Sequence, residues 1–361
     1  MILLFWILIL GAICIRKLNI FPFLVIIFLV SLSYFSAKAK VSDFYSYSNI
    51  YNNISVGKLY QTGYGWYVLN NIGRNYGLDY NQYKAVSIAI LLTCVFITVK
   101  VFIGEYSNLV AGLYLLYPAL IDTIQLRFFT ALVIVLVGLL FLVQEKKWAT
   151  ITYVIFVLIA ATVHTSAYFY LLFTVYPFIG KYISKIKIPL IIVSIILIAF
   201  KEKVLTVISF FANNRQLQYF NISSGVTSGS SYVVINAIIS IVIVFIINSY
   251  IYKMSLSDLL FSEKERKVIA MVYGISIIMF FAIPLVIVSG ELIRIFRIMY
   301  ILSYVSIAIA AKHRMSSILN RVVYKGEPLQ INFTVVGILI SILSFLINIL
   351  YLAPAAFNSY F

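Results

Sequence analysis

Between Trp148 and Gly180 the chain runs for 33 residues without an Asp, Glu, Lys or Arg. A helix crosses the hydrocarbon core of a bilayer in about 20 residues, with a range of roughly 17 to 25. The run is therefore too long for one crossing, and His164-Thr165-Ser166 is the natural place to divide it into two. The rest of the chain repeats the pattern, with apolar runs parted by short charged stretches. At 63% hydrophobic and 11% charged over 361 residues, no soluble domain could hide this much apolar surface. The chain reads as an all-α, polytopic integral membrane protein forming a single membrane domain, 1–361.

Charged residues mark out twelve transmembrane segments near 2–15, 18–36, 84–101, 106–121, 127–143, 148–163, 165–180, 187–204, 231–252, 268–289, 292–311 and 331–351. The first, MILLFWILILGAIC, lacks the cationic head of a signal peptide and reads as a membrane helix. Cys14 and Cys94 both fall in apolar runs, which argues against a disulfide framework or a thiol metal site.

Cytoplasmic loops carry the excess of Lys and Arg. One alternating set of loops holds 16 of the 27 cations, nearly all in short loops: Arg16 and Lys17, Lys100, Lys146 and Lys147, 181–187, 253–267 and 312–325. Placing this set in the cytoplasm puts both termini outside. It also leaves two long outer loops, 37–83 and 202–231. The first is rich in Tyr and Asn, a composition that suits sugars but also suits the aromatic belt of a membrane interface. Within it, Tyr60 to Asn71 is expected to form a short interfacial helix.

Ionisable residues at membrane depth are costly, which makes them candidates for function. Arg294 and Arg297, three apart, share a helix face with Tyr300. Two planar guanidiniums at the outer edge fit a phosphate or pyrophosphate, although snorkelling to headgroups or pairing with Glu291 would also account for them. Arg127 opens the fifth segment five residues after Asp122, as a salt bridge or as a second phosphate contact. His164 stands beside two hydroxyls, Thr165 and Ser166, as a packing residue or as a general base. His313, in a Lys-His-Arg cluster, reads as ordinary loop charge. The familiar nucleotide, zinc and nucleophile-elbow motifs of soluble enzymes do not occur. No metal site, cofactor or nucleic-acid partner is expected, because the acids are scattered and the cations follow topology.

Taken in order, these residues resemble a family. Asp43-Phe44-Tyr45 is followed by Gly63-Tyr64. Then come Arg127-Phe-Phe-Thr-Ala131, His164-Thr-Ser-Ala167, and the late helix with Arg294, Arg297 and Tyr300. The set is similar to the Wzy-type polysaccharide polymerases, in particular their EpsG-like branch, over nearly the whole chain. The resemblance implies transfer of a growing glycan from undecaprenyl pyrophosphate to another lipid-linked repeat unit, at the outer face of a bacterial inner membrane. It implies Arg127, Arg294 and Arg297 on the pyrophosphate, and Tyr45, Tyr64 and Tyr300 on the glycan. A flippase and a chain-length regulator are the expected partners besides the lipid bilayer. Two positions depart from the family's pattern. Gln61 and Thr62 stand where a glutamate often precedes Gly-Tyr, and Phe128 follows Arg127 where glutamine is common. The base then falls to His164, with Asp43 second. A lipid-linked oligosaccharide flippase, a glycan ligase and a membrane acyltransferase are the rival readings.

Overall fold

A computed structural model describes residues 1–15, 19–35, 44–53, 63–182, 230–257, 260–288, 290–320, 333–346 and 360, with scattered positions between 185 and 203. Asp43, nearly all of 202–231 and most of the segment expected at 187–204 lie outside the described residues. The described chain is helical throughout, with no strand. Among the described residues four helical stretches are long and apolar enough to cross a membrane: Tyr80–Ile103, Ile238–Ser257, Glu263–Val286 and Leu292–His313. Six more, Ile2–Cys14, Phe21–Phe35, Ser107–Leu116, Leu126–Leu142, Lys147–Val163 and Thr334–Phe345, are apolar but shorter.

The helices follow the charge punctuation closely. In chain order, α1 is Ile2–Cys14, α2 Phe21–Phe35, α3 Phe44–Asn53, α4 Tyr64–Asn75, α5 Tyr80–Ile103, α6 Ser107–Leu116 and α7 Ala119–Ile124. After these come α8 Leu126–Leu142, α9 Lys147–Val163, α10 Tyr176–Ile179, α11 Ser230–Ser257, α12 Glu263–Ile278, α13 Ile283–Val288, α14 Arg297–Asn320 and α15 Phe333–Phe345. Helix α4 is the short helix expected in the first outer loop, shifted four residues along. Helix α3 was not anticipated, so the described parts of that loop are helical. Helix α5 starts ahead of the expected 84 because Asp79 and Gln82 form a reciprocal capping box.

Among the described residues four expected spans are not simple helices, 268–289 being interrupted by a 3-10 turn at Met279–Ala282. Segment 106–121 breaks at Tyr117-Pro118 into α6 and α7, since proline lacks the amide hydrogen a helix interior needs. After His164 the chain forms a 3-10 helix over Thr165–Val175 before α10, and another over Gly290–Phe296 leads into α14. Such runs are usually three or four residues long. Here the two are tied together, the Tyr170 hydroxyl donating to the carbonyl of Ile295 at 3.0 Å. Tyr153 on α9 in turn donates to the carbonyl of Tyr170 at 2.9 Å.

Helix α6 is buried at every residue and α1 crosses it closely. A Cβ on Gly112 would come within 3.0 Å of the Ala12 Cβ, the kind of approach small residues permit between membrane helices. In one part of the bundle polar side chains pair across helices, which spares them an unmet hydrogen bond in lipid. Asn248 of α11 donates to Ser276 of α12 and Ser303 of α14 at 2.8 and 2.9 Å, and accepts from Ser306 at 2.8 Å.

Helix directions give the bundle two distinct ends. One gathers the start of α4, the α7–α8 turn, the end of α9 and the start of α14. At the other, Glu265 on α12 accepts from Lys312 at 3.1 Å and contacts His313 at 2.9 Å. His313 is thus an ion-pair partner on α14 and not loop charge, because that helix continues well past the expected 311.

Candidate active site

The site is at the first of these ends, where four separate pieces of chain meet. Asp122 of α7 is fully buried and Arg297, the first residue of α14, is 4% exposed. Arg297 Nη1 donates to Asp122 Oδ1 at 2.9 Å and Nη2 to Gln125 Oε1 at 2.6 Å. The Tyr114 hydroxyl donates to Asp122 Oδ2 at 2.9 Å. Every strong charge in this pair is matched, as a buried ion pair requires. Asp122 was read beside Arg127, but its partner is Arg297, 175 residues away. The bonds to Asp122 and Gln125 together use two of the five N–H donors of the Arg297 guanidinium.

Phe128 lies against two of the cations. The Arg297 guanidinium is 5.2 Å from its ring centroid and that of Arg294 6.0 Å, which is cation–π range. Both arginines therefore face one side, as their spacing predicted. The His164 ring meets Phe128 edge-on at 5.4 Å.

Arg127, the next residue back on α8, is held from another direction. Its Nε donates to the carbonyl of Val163, the last residue of α9, at 2.7 Å. Gly63, ahead of α4, sits against the same place with φ +81. A Cβ there would meet the Thr162 carbonyl oxygen at 2.7 Å and Arg127 Nη2 at 3.2 Å. Gly63→Ala is expected to cost about 1–2 kcal/mol for the left-handed backbone alone, and to push α4 away from Arg127. A lower Tm in detergent together with reduced product would show both effects; an unchanged Tm would contradict the packing.

His164 sits at the junction of α9 and the following 3-10 helix. Its Nδ1 accepts from the Ser166 backbone N–H at 3.3 Å and lies 2.7 Å from Ser166 Oγ. A backbone N–H can only donate, so Nδ1 is the unprotonated nitrogen and Nε2 carries the hydrogen. Arg127, Arg294 and Arg297 all act electrostatically on the ring.

The remaining candidates are spread out. Tyr45 and Tyr64 are exposed on α3 and α4, whereas Tyr300 is 3% exposed and packs edge-on against Tyr117, 5.0 Å between centroids. Tyr300 is a core residue one turn below Arg297, away from any open face. Gln125, Phe128 and Tyr114 were missed as site residues. The lone acid Asp122, inside a long apolar stretch that could not leave it unpaired, was the available signal. Among the described residues no cluster of acids, histidines and cysteines could hold a metal ion.

The fold and site define a multi-helical membrane protein with three guanidiniums near one another at one end of its bundle, one of them paired with the buried Asp122. The chain matches the EpsG family over residues 19–361, and it belongs to that family. Membership ties it to polysaccharide biosynthesis and, at the level of the family, to a polymerase of the glycosyltransferase kind. No curated protein and no solved structure matches it.

Proposed function

We propose that this protein is a polysaccharide polymerase. On this reading it moves a growing glycan from undecaprenyl pyrophosphate to the sugar end of another lipid-linked repeat unit, at the outer face of the inner membrane. The observation that carries the reading is the gathering of three guanidiniums about His164, with Arg294 and Arg297 against Phe128 and Arg127 bound to the Val163 carbonyl.

The leaving group of such a transfer is a diphosphate, which needs positive charge and not a proton donor. Arg297 is locked by Asp122 and Gln125, so it serves as a fixed cation at the floor of the site. Arg127 and Arg294 are only half-buried and present forks suited to the phosphates. The acceptor oxygen bonds to the anomeric carbon, while the anomeric carbon–oxygen bond breaks and leaves its electron pair on the diphosphate. The hydroxyl proton passes through Ser166 Oγ to His164 Nδ1. An anion among the three arginines cancels their field and lets the ring accept that proton. The chemistry requires neither nucleotide nor metal.

Ser166→Ala is expected to slow transfer by about tenfold or more, approaching the roughly 10²–10⁴ range of general-base catalysis. Turnover equal to wild type would remove Ser166 from the proton path.

The overall reading is tested on a gel of surface glycan from cells lacking the gene. The expected result is acceptor carrying one repeat unit with the ladder absent. The ladder should return with the wild-type gene but not with Arg294→Ala at matched membrane levels. Loss of the single-repeat band as well would point to flipping or ligation and overturn the reading.

A further inference from the structure

The same end of the bundle holds a second group of polar atoms that the transfer step does not use. Lys84 of α5 is 2% exposed, and among the described residues its Nζ has no hydrogen-bond partner. Its one close contact of note is the Phe44 ring, 5.8 Å away. On α4, Trp66 and Asn70 are one turn apart and each 1% exposed. The indole Nε1 and both polar side-chain atoms of Asn70 likewise have no hydrogen-bond partner among the described residues.

Helix α3 roofs this region. Phe44, Tyr47 and Tyr51 fall along one of its faces at helical spacing. Phe44 lies over Lys84 and packs on Tyr80 at 5.2 Å. Tyr47 meets Trp66 edge-on at 6.0 Å, and Tyr51 stacks on Tyr83 at 4.9 Å. Tyr83 also reaches the Trp66 ring, at 6.4 Å, so one aromatic layer joins the three helices. The Tyr51 hydroxyl, donating to the Leu78 carbonyl at 2.8 Å, pins the far end of the roof.

A buried ammonium without a counter-charge costs several kcal/mol, and each unmet amide or indole group about 1–3. Such groups in a native fold call for a reason. Together they offer three ammonium hydrogens, one indole hydrogen and two amide hydrogens against one amide oxygen. The set therefore complements a ligand rich in acceptors and negatively charged. Aromatic faces all around it suit the apolar C–H faces of a sugar ring.

We propose that α3, α4 and α5 enclose a binding site for an acidic sugar, with Lys84 taking its carboxylate and Asn70 and Trp66 its hydroxyls. The proposal rests on the glycan-transfer reading and narrows its substrate to glycans carrying a uronic-acid type residue. Helix α4 links the two places. Gly63, at its start, touches Arg127, and Trp66 is three residues further on, so a sugar held here lies beside the diphosphate site. The polar atoms are all buried, so on this proposal a sugar reaches them only when α3 lifts.

The test is isothermal titration of the purified full chain in detergent with two tetrasaccharides. One alternates glucuronic acid and N-acetylglucosamine; the other is the neutral N-acetylglucosamine tetramer. The acidic probe is expected to bind at least tenfold more tightly. Lys84→Met should abolish that preference while raising the Tm, because it removes an unpaired buried charge. Lys84→Arg, which keeps the charge, should retain the preference. Equal binding of the two probes, binding of neither, an undiminished preference in Lys84→Met, or a lower Tm for that variant would each overturn the proposal. Titration needs no turnover, so an intact glycan ladder in cells lacking the gene would sink the polymerase reading without touching this result.

Discussion

Arg297→Met is expected to destabilise the protein by about 3–5 kcal/mol, the cost of leaving the partner of a buried ion pair uncompensated. Asp122 is fully buried, and after the substitution only the Tyr114 hydroxyl would still serve its carboxylate. Asp122→Asn alone strands the guanidinium, softened by the bond it keeps to Gln125, and should cost less. The double variant Asp122→Asn/Arg297→Met leaves no charge behind and should recover more than half of the Arg297→Met loss. Thermal unfolding of the four proteins in one detergent measures this as a double-mutant cycle. Losses that simply add would show that the two groups do not act as a pair. Recovery of stability without recovery of transfer would separate the structural role of Arg297 from its electrostatic one.

Arg294→Ala is expected to behave in the opposite manner. Arg294 is half-buried, and its loss is expected to cost no more than about 1–2 kcal/mol of stability. Transfer should fall by about 10²–10³, the scale seen when one preorganised donor to a developing anion is removed. Arg294→Lys keeps the charge but not the planar fork, and it should restore only part of the rate. A variant as active as wild type would take Arg294 out of the diphosphate site.

Much of this arrangement was legible in the chain because bilayer physics writes itself into sequence. Uncharged runs located the helices, and the division at His164-Thr165-Ser166 falls where α9 ends. Antiparallel α8 and α9 put Arg127 and His164 at one end, as alternation of spans demanded, and the spacing of Arg294 and Arg297 put both over one ring. What could not be read were features with no local signature. Asp122 and Arg297 are 175 residues apart, and nothing near either names the other. The 3-10 stretches at Thr165–Val175 and Gly290–Phe296 are apolar nearly all round, so their hydrophobic pattern cannot separate a period of 3.0 from 3.6. Tyr300 looked like part of a polar face because Arg297 is one turn away, yet packing against Tyr117 turned it into core. Lys84 looked like a charge at the head of a span. The Asp79–Gln82 capping box, readable in hindsight, extends α5 backwards and carries Lys84 inside.

The central claim, that the arginine cluster takes the carrier's diphosphate as the glycan leaves it, is best tested by a single-turnover assay. Purified protein in lipid nanodiscs would be given the lipid-linked repeat unit isolated from cells lacking the gene, following both the joined product and free undecaprenyl diphosphate. One diphosphate lipid should be released for each linkage formed, and both should fall about a hundredfold or more in Arg294→Ala. Joined product without release of that lipid, or wild-type rates in both Arg127→Ala and Arg294→Ala, would contradict the account.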